Sequence, residues 1–260
     1  MRALFALSVC TLVLANAGYA QFSQRGKAPL DNLTLSGVIP EAPGHEQSAA
    51  AGSSAVVSVA QLRHKVAAKA KREMDAARKA CGKKDVAACV EHLKKAIGID
   101  PEYLEARREL GHIYVLLDQP ENVIDTFQGV LKIDPRSADA YSFIGAAEAS
   151  LDRYKDAEAA ARQALRIVPG HARGRFVLGL SLAGQRKNDV EALECLAGVS
   201  DVFPGAHMLE AHVLARRGET AEARSHLEAY REVAPAEQRA MIEEWLARLE
   251  RSSRGTAGSH

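Results

Sequence analysis

Apolar residues recur three and four positions apart through most of the chain from Ser58 onward, and polar turns or prolines cut these runs at even distances. GIDPEYLEARRELGHIY, from Gly98 to Tyr114, carries both signals: an Asp-Pro step that stops a helix and an apolar pattern that starts one. Thirty-four residues on, the chain reads KIDPRSADAYSFIGAAE, and thirty-four further RIVPGHARGRFVLGLSL. Each phrase belongs to a unit with a small residue, a second small residue about twelve positions later, and a proline about twelve after that. The units are Ala77, Cys89, Pro101; Gly111, Val123, Pro135; Gly145, Ala157, Pro169; Gly179, Ala192, Pro204; and Ala211, Ala223, Pro235.

This spacing predicts pairs of antiparallel helices. Small residues let the two helices approach closely, and short polar turns join them: GKKD at 82–85, LDQP at 117–120, LDRY at 151–154, QRKND at 185–189 and RRGE at 216–219. Pro120 suits the first turn of a helix, where its missing N–H costs nothing. The proline closing each unit stops the second helix and redirects the chain. One pair cannot bury its apolar face alone, whereas stacked pairs share a core. The expected fold is all-α: a solenoid of five helix pairs over 58–235, opened by a capping box at Ser58 and Gln61. A capping helix follows at 236–251, with Met241, Ile242, Trp245, Leu246 and Leu249 on its inner face, and then a polar tail at 252–260.

The N-terminal segment differs in kind. MRALFALSVCTLVLANAGYA has one basic residue, an apolar run and a small-residue end, the pattern of a cleaved secretory signal at 1–20. Residues 21–57, rich in Gly, Ser, Ala and Pro, read as a flexible linker. The chain is therefore expected to be exported, periplasmic or secreted, with no membrane span after cleavage. Without Arg2 the 34 basic residues become 33, against 33 acidic, so a basic nucleic-acid binder is not indicated. The charge is nonetheless segregated: residues 59–98 hold eleven Lys or Arg against four acids, and 100–160 hold six against thirteen.

The repeat resembles the tetratricopeptide repeat (TPR) family. Its signature is clearest in unit two (Leu110-Gly111, Tyr114, Phe127, Pro135) and unit three (Tyr141, Ile144-Gly145, Ala157, Ala164, Pro169). The resemblance covers about 70–235. It weakens at unit one, with Ala80 where an aromatic is common, and at unit five, which has lost three residues at its entry. It implies that the first helices line a concave groove. On this chain the groove positions are Lys71, Asp75 and Arg78; Arg108, Glu109 and His112; Phe143; Phe176, Val177 and Leu180; and Met208. They run from charged to apolar and would suit a peptide graded the same way, unless the apolar members pack inside instead. The family's clamp for C-terminal carboxylates is absent: Met74, Arg78, Glu109, Asp139 and Phe143 stand where its Lys and Asn residues, or other basic residues, belong.

Catalytic motifs are missing, and neither a cofactor nor a metal is expected. A zinc site from His207, His212, His226 and Cys195 would need donors to converge that the sequence does not place together. Cys81 and Cys89 flank the turn of unit one. They form either a disulfide, as in cysteine-rich bacterial relatives of the repeat, or two small buried thiols, with Cys195 a buried leftover. The expected function is a non-enzymatic scaffold for a peptide or protein partner. Self-association between basic and acidic blocks, and an accessory redox- or metal-responsive subunit, are the alternatives.

Overall fold

The computed structural model describes residues 64–234 and 236–257. The expected signal peptide, linker, Ser58–Gln61 capping box and Pro235 lie outside these residues. The described residues form eleven α-helices and no strand. They are α1 (Ala68–Gly82), α2 (Val86–Ile99), α3 (Leu104–Leu116), α4 (Pro120–Ile133), α5 (Ala138–Ser150), α6 (Tyr154–Ile167), α7 (Ala172–Gln185), α8 (Asp189–Leu196), α9 (Gly205–Arg217), α10 (Thr220–Val233) and α11 (Ala236–Ala257). Each helix packs on the next, and α5, α7 and α9 also touch in series. That is the contact pattern of five stacked pairs with a terminal helix. The last helix runs to Ala257, through residues expected to be a polar tail.

Local chemistry sets the helix ends. Asp100, Asp134 and Val168 precede a proline, and all three leave the helical region for extended backbone, with ψ of 93°, 85° and 97°. The ring of the following proline excludes the α conformation there. Each turn within a pair contains a residue with positive φ: Lys84, Asp118, Asp152, Arg186 with Asn188, and Gly218. Asp, Asn and Gly tolerate that conformation best, which explains the composition of most of these turns. Pro120 occupies the first turn of α4, as expected. Side chains of Asp85, Ser137, His171 and Asn188 accept backbone N–H groups at the starts of α2, α5, α7 and α8.

The pairs close on their small residues. A Cβ at Gly145 would lie 3.1 Å from the carbonyl oxygen of Ala157, and one at Gly179 would lie 3.1 Å from that of Ala192. A Cβ at Gly111 would strike the Phe127 ring. Around these contacts the core falls into three adjoining runs, centred on α1–α5, α5–α9 and α9–α11. On α11, Ile242, Leu246 and Leu249 are buried and Trp245 packs against the last run, while Met241 is exposed and off the expected inner face.

Unit four departs from the expected register. Its second helix, α8, ends at Leu196, well before Pro204, and Gly198 adopts φ +74°. Val199 and Phe203 turn inward, and Phe203 stacks on Phe176 with ring centroids 5.0 Å apart. Arg175 donates to the carbonyls of Glu194 (2.8 Å) and Ala197 (2.6 Å), satisfying acceptors that the early stop exposes. Pro204 then stands at the N-cap position of α9, well past the end of α8.

Cys81 and Cys89 form a disulfide across the first turn, with Cα atoms 5.3 Å apart. Cys195 is the free cysteine among the described residues and is only half-buried. Burial raises its thiol pKa.

Two predictions follow from the packing. Gly179→Ala should destabilise by about 1–3 kcal/mol through overpacking, whereas exposed Gly98→Ala should be neutral or stabilise by up to about 1 kcal/mol through helix propensity. Urea unfolding of both variants tests the ordering. Breaking the Cys81–Cys89 bridge with reductant should cost about 2–3 kcal/mol of stability, and the Cys81→Ala, Cys89→Ala double variant should show no further response to reductant.

Candidate functional site

One charged strip crosses the first helices from α1 to α7. Arg78 on α1 pairs with Glu105 on α3 and approaches Asp75 at 4.0 Å. Arg108 on α3 lies 3.5 Å from Asp134. Asp139 on α5 accepts from His171 Nε2 at 3.0 Å and lies 3.8 Å from Arg173 on α7. The His171 contact and the nearby arginines hold the Asp139 carboxyl well below its usual range. Lys71, Asp75, Arg78 and Arg108 are exposed, as a groove requires.

Between these charges sits a small aromatic platform. His112 tilts against Phe127 and Phe143, with centroids at 5.9 and 5.1 Å, and Phe127 stacks on Phe143 at 4.6 Å. The Arg173 guanidinium lies 4.1 Å over the Phe143 ring, a cation–π contact. Phe143 is thus half-buried and held from both sides.

Two atoms in this region have unmet needs. Glu109 Oε2 and His112 Nδ1 are buried and have no hydrogen-bond partner. They lie three residues apart on α3, hence on one helical face. Burial raises the Glu109 pKa, with Arg78 pulling it down. Burial lowers that of His112 to about 4, and Arg173 adds to the effect, so the ring is neutral at physiological pH. A buried polar atom without a partner costs about 1–3 kcal/mol, and a ligand that supplies the partner recovers that cost.

The apolar end of the expected groove is not surface. Phe176, Val177 and Leu180 are fully buried and Met208 nearly so. Helix α7 touches α5, α6, α8 and α9, so it has no open apolar side. RFVLGLSLA carries apolar residues around most of its circumference, the mark of an enclosed helix, and that signal was present in the sequence. Conversely, Asp139, His171 and Arg173 were not among the expected binding residues. Superposing the repeats at 34 residues would have found two of them: Lys71, Glu105, Asp139 and Arg173 occupy one repeat position in successive units.

Near the C-terminal end, His207 and His226 meet around Glu210. His212 instead packs edge-on to Trp245 at 6.1 Å. The grouping therefore differs from the set weighed in the sequence, and Cys195 takes no part in it.

No family model and no curated protein matches the sequence. Solved structures do. The crystal structure of MamA is similar at 24% identity and TM-score 0.53, over 67% of this chain and 98% of that one. YrrB, described as a TPR protein with an unusual peptide-binding site, is similar at 20% identity and TM-score 0.53, over 68% and 92%. PilF of Pseudomonas aeruginosa is similar at 19% identity and TM-score 0.56, over 74% and 88%. At these identities the likeness is one of fold, and it joins the 34-residue period and the stacked helix pairs in one conclusion: the chain has the fold of a tetratricopeptide-repeat α-solenoid.

Proposed function

We propose that this chain is a non-enzymatic scaffold of the cell envelope that holds an extended segment of a partner protein against α1, α3 and α5. The observation that carries the reading is the pair of buried, unpartnered atoms Glu109 Oε2 and His112 Nδ1 on one face of α3. An extended peptide offers backbone N–H groups to Glu109 and a backbone group to neutral His112. Arg78 and Arg108 flank these atoms and suit an acidic side chain, and the Phe143 platform suits an apolar one. The peptide-binding site named for YrrB gives the same fold a precedent for such a ligand. Export is supported by the N-terminal pattern and by the Cys81–Cys89 bridge, which persists best in an oxidising compartment.

The binding face is narrower than the sequence alone implied. A substitution at Phe176 would test folding and not binding, because that ring fills the core. The informative variant is Arg108→Glu with Glu109→Ala, at one exposed and one half-buried position. In a crosslinked pull-down from native envelope, wild type should capture a defined partner. The variant should capture it at least about tenfold less, the loss expected for one charge-assisted hydrogen bond. Unchanged capture would remove α3 from the site. Capture of a second copy of the chain, weakened by salt, would instead favour docking between the basic and acidic blocks.

A further inference from the structure

The last helix pair gathers three metal-ligating donor atoms. His207 and Glu210 lie three residues apart in the first half of α9, and His226 faces them from α10. The Nδ1 atoms of the two histidines are 3.2 Å apart. Glu210 Oε2 is 3.0 Å from His226 Nδ1 and 3.4 Å from His207 Nδ1. The carboxylate is buried, with 7% of its side chain exposed, while the two imidazoles are about one-quarter and one-third exposed.

Hydrogen bonding alone serves this triangle poorly. A proton on His226 Nδ1 points fully at either Glu210 Oε2 or His207 Nδ1, so at least one of the three close contacts lacks a well-directed hydrogen bond. A cation between the three atoms takes one lone pair from each at once. The spacing also suits one: a tetrahedral metal with donor bonds of about 2.0–2.1 Å holds its ligand atoms roughly 3.3–3.4 Å apart. The triangle's edges, 3.0, 3.2 and 3.4 Å, are close to that without any rearrangement.

We propose that His207, Glu210 and His226 form a three-ligand site for a divalent cation of the zinc type, with a fourth position open to water or to a side chain of another molecule. Two imidazoles and one carboxylate favour zinc and its neighbours over magnesium or calcium, which take oxygen donors. The metal joins α9 to α10, clipping together the unit that departs from the regular repeat and its spacing. Such a site departs from the sequence-based expectation of no metal. The set weighed in the sequence was His207, His212 and His226 with Cys195 nearby, whereas the fold groups Glu210 with His207 and His226.

The test uses the full chain, stripped with chelator and titrated with Zn2+ against a chromophoric competitor. One tight equivalent is expected. His226→Gln and His207→Gln should each weaken it by more than about 100-fold, beyond the ten- to hundredfold typical of outer-shell changes. His212→Gln should leave it unchanged. Co2+ should give the strong visible bands of a tetrahedral site in wild type and not in His226→Gln, and Zn2+ should raise the Tm of wild type alone. The histidine variants alter partly exposed positions, so circular dichroism should show retained helix. Absence of a stoichiometric Zn2+ equivalent, or binding that survives both histidine changes, overturns the proposal.

Discussion

The structure depends on how closely two helix backbones can approach. At Gly145 and Gly179 a Cβ would crowd the carbonyl oxygens of Ala157 and Ala192 at 3.1 Å, so units three and four close to a distance that favours glycine opposite alanine. Closeness at one point places the rest of each helix. It lets buried alanines such as Ala160, Ala161 and Ala164 fill the interface and explains how a chain with only 5% aromatic residues makes a continuous stack. Proline supplies the complementary constraint. By forcing the preceding residue into extended backbone, it turns the chain just after the second helix in units one to three.

Stacking also divides the first helices into exposed and enclosed ones. Helices α1, α3 and α5 keep a polar side open, and there Arg78, Glu105, Arg108, Asp139 and Arg173 form a strip of alternating sign around the Phe143 platform. Helix α7 is surrounded, and its apolar residues serve the core. A surface that looks graded from charged to apolar along the sequence is, in space, a charged surface that ends where the core begins. Glu109 and His112, whose Oε2 and Nδ1 atoms are buried without a hydrogen bond, belong to α3, beneath this open part.

The two irregular units behave differently from the rest. In unit four Gly198 ends the second helix early, Arg175 takes up the freed carbonyls, and Phe203 restores the packing by stacking on Phe176. Unit five begins three residues short, and its first turn brings His207 and Glu210 opposite His226. Where the repeat is regular, the residues serve stacking. Where the register slips, side chains are left in unusual company, and there the structure holds its densest group of metal-ligating atoms among the described residues.

The all-α class, the five pairs, their turns and the proline stops were legible in the sequence because they rest on local causes: a period of about 34, small residues at matched positions, and backbone limits at proline. The Cys81–Cys89 pairing was one of two readings left open there, since sequence places both residues beside one turn and only the helix angle brings their Cα atoms to 5.3 Å. The fate of Phe176, Val177 and Leu180 needed the tertiary structure, because a helical face is open or closed according to what the neighbouring units place against it. So did the partnership of His207, Glu210 and His226, which joins two antiparallel helices and hence residues nineteen apart that no helical spacing relates. Periodicity is a property of the chain and can be read along it; which side chains meet across two helices is decided by their packing distance and rotation, which the close approach of the backbones sets.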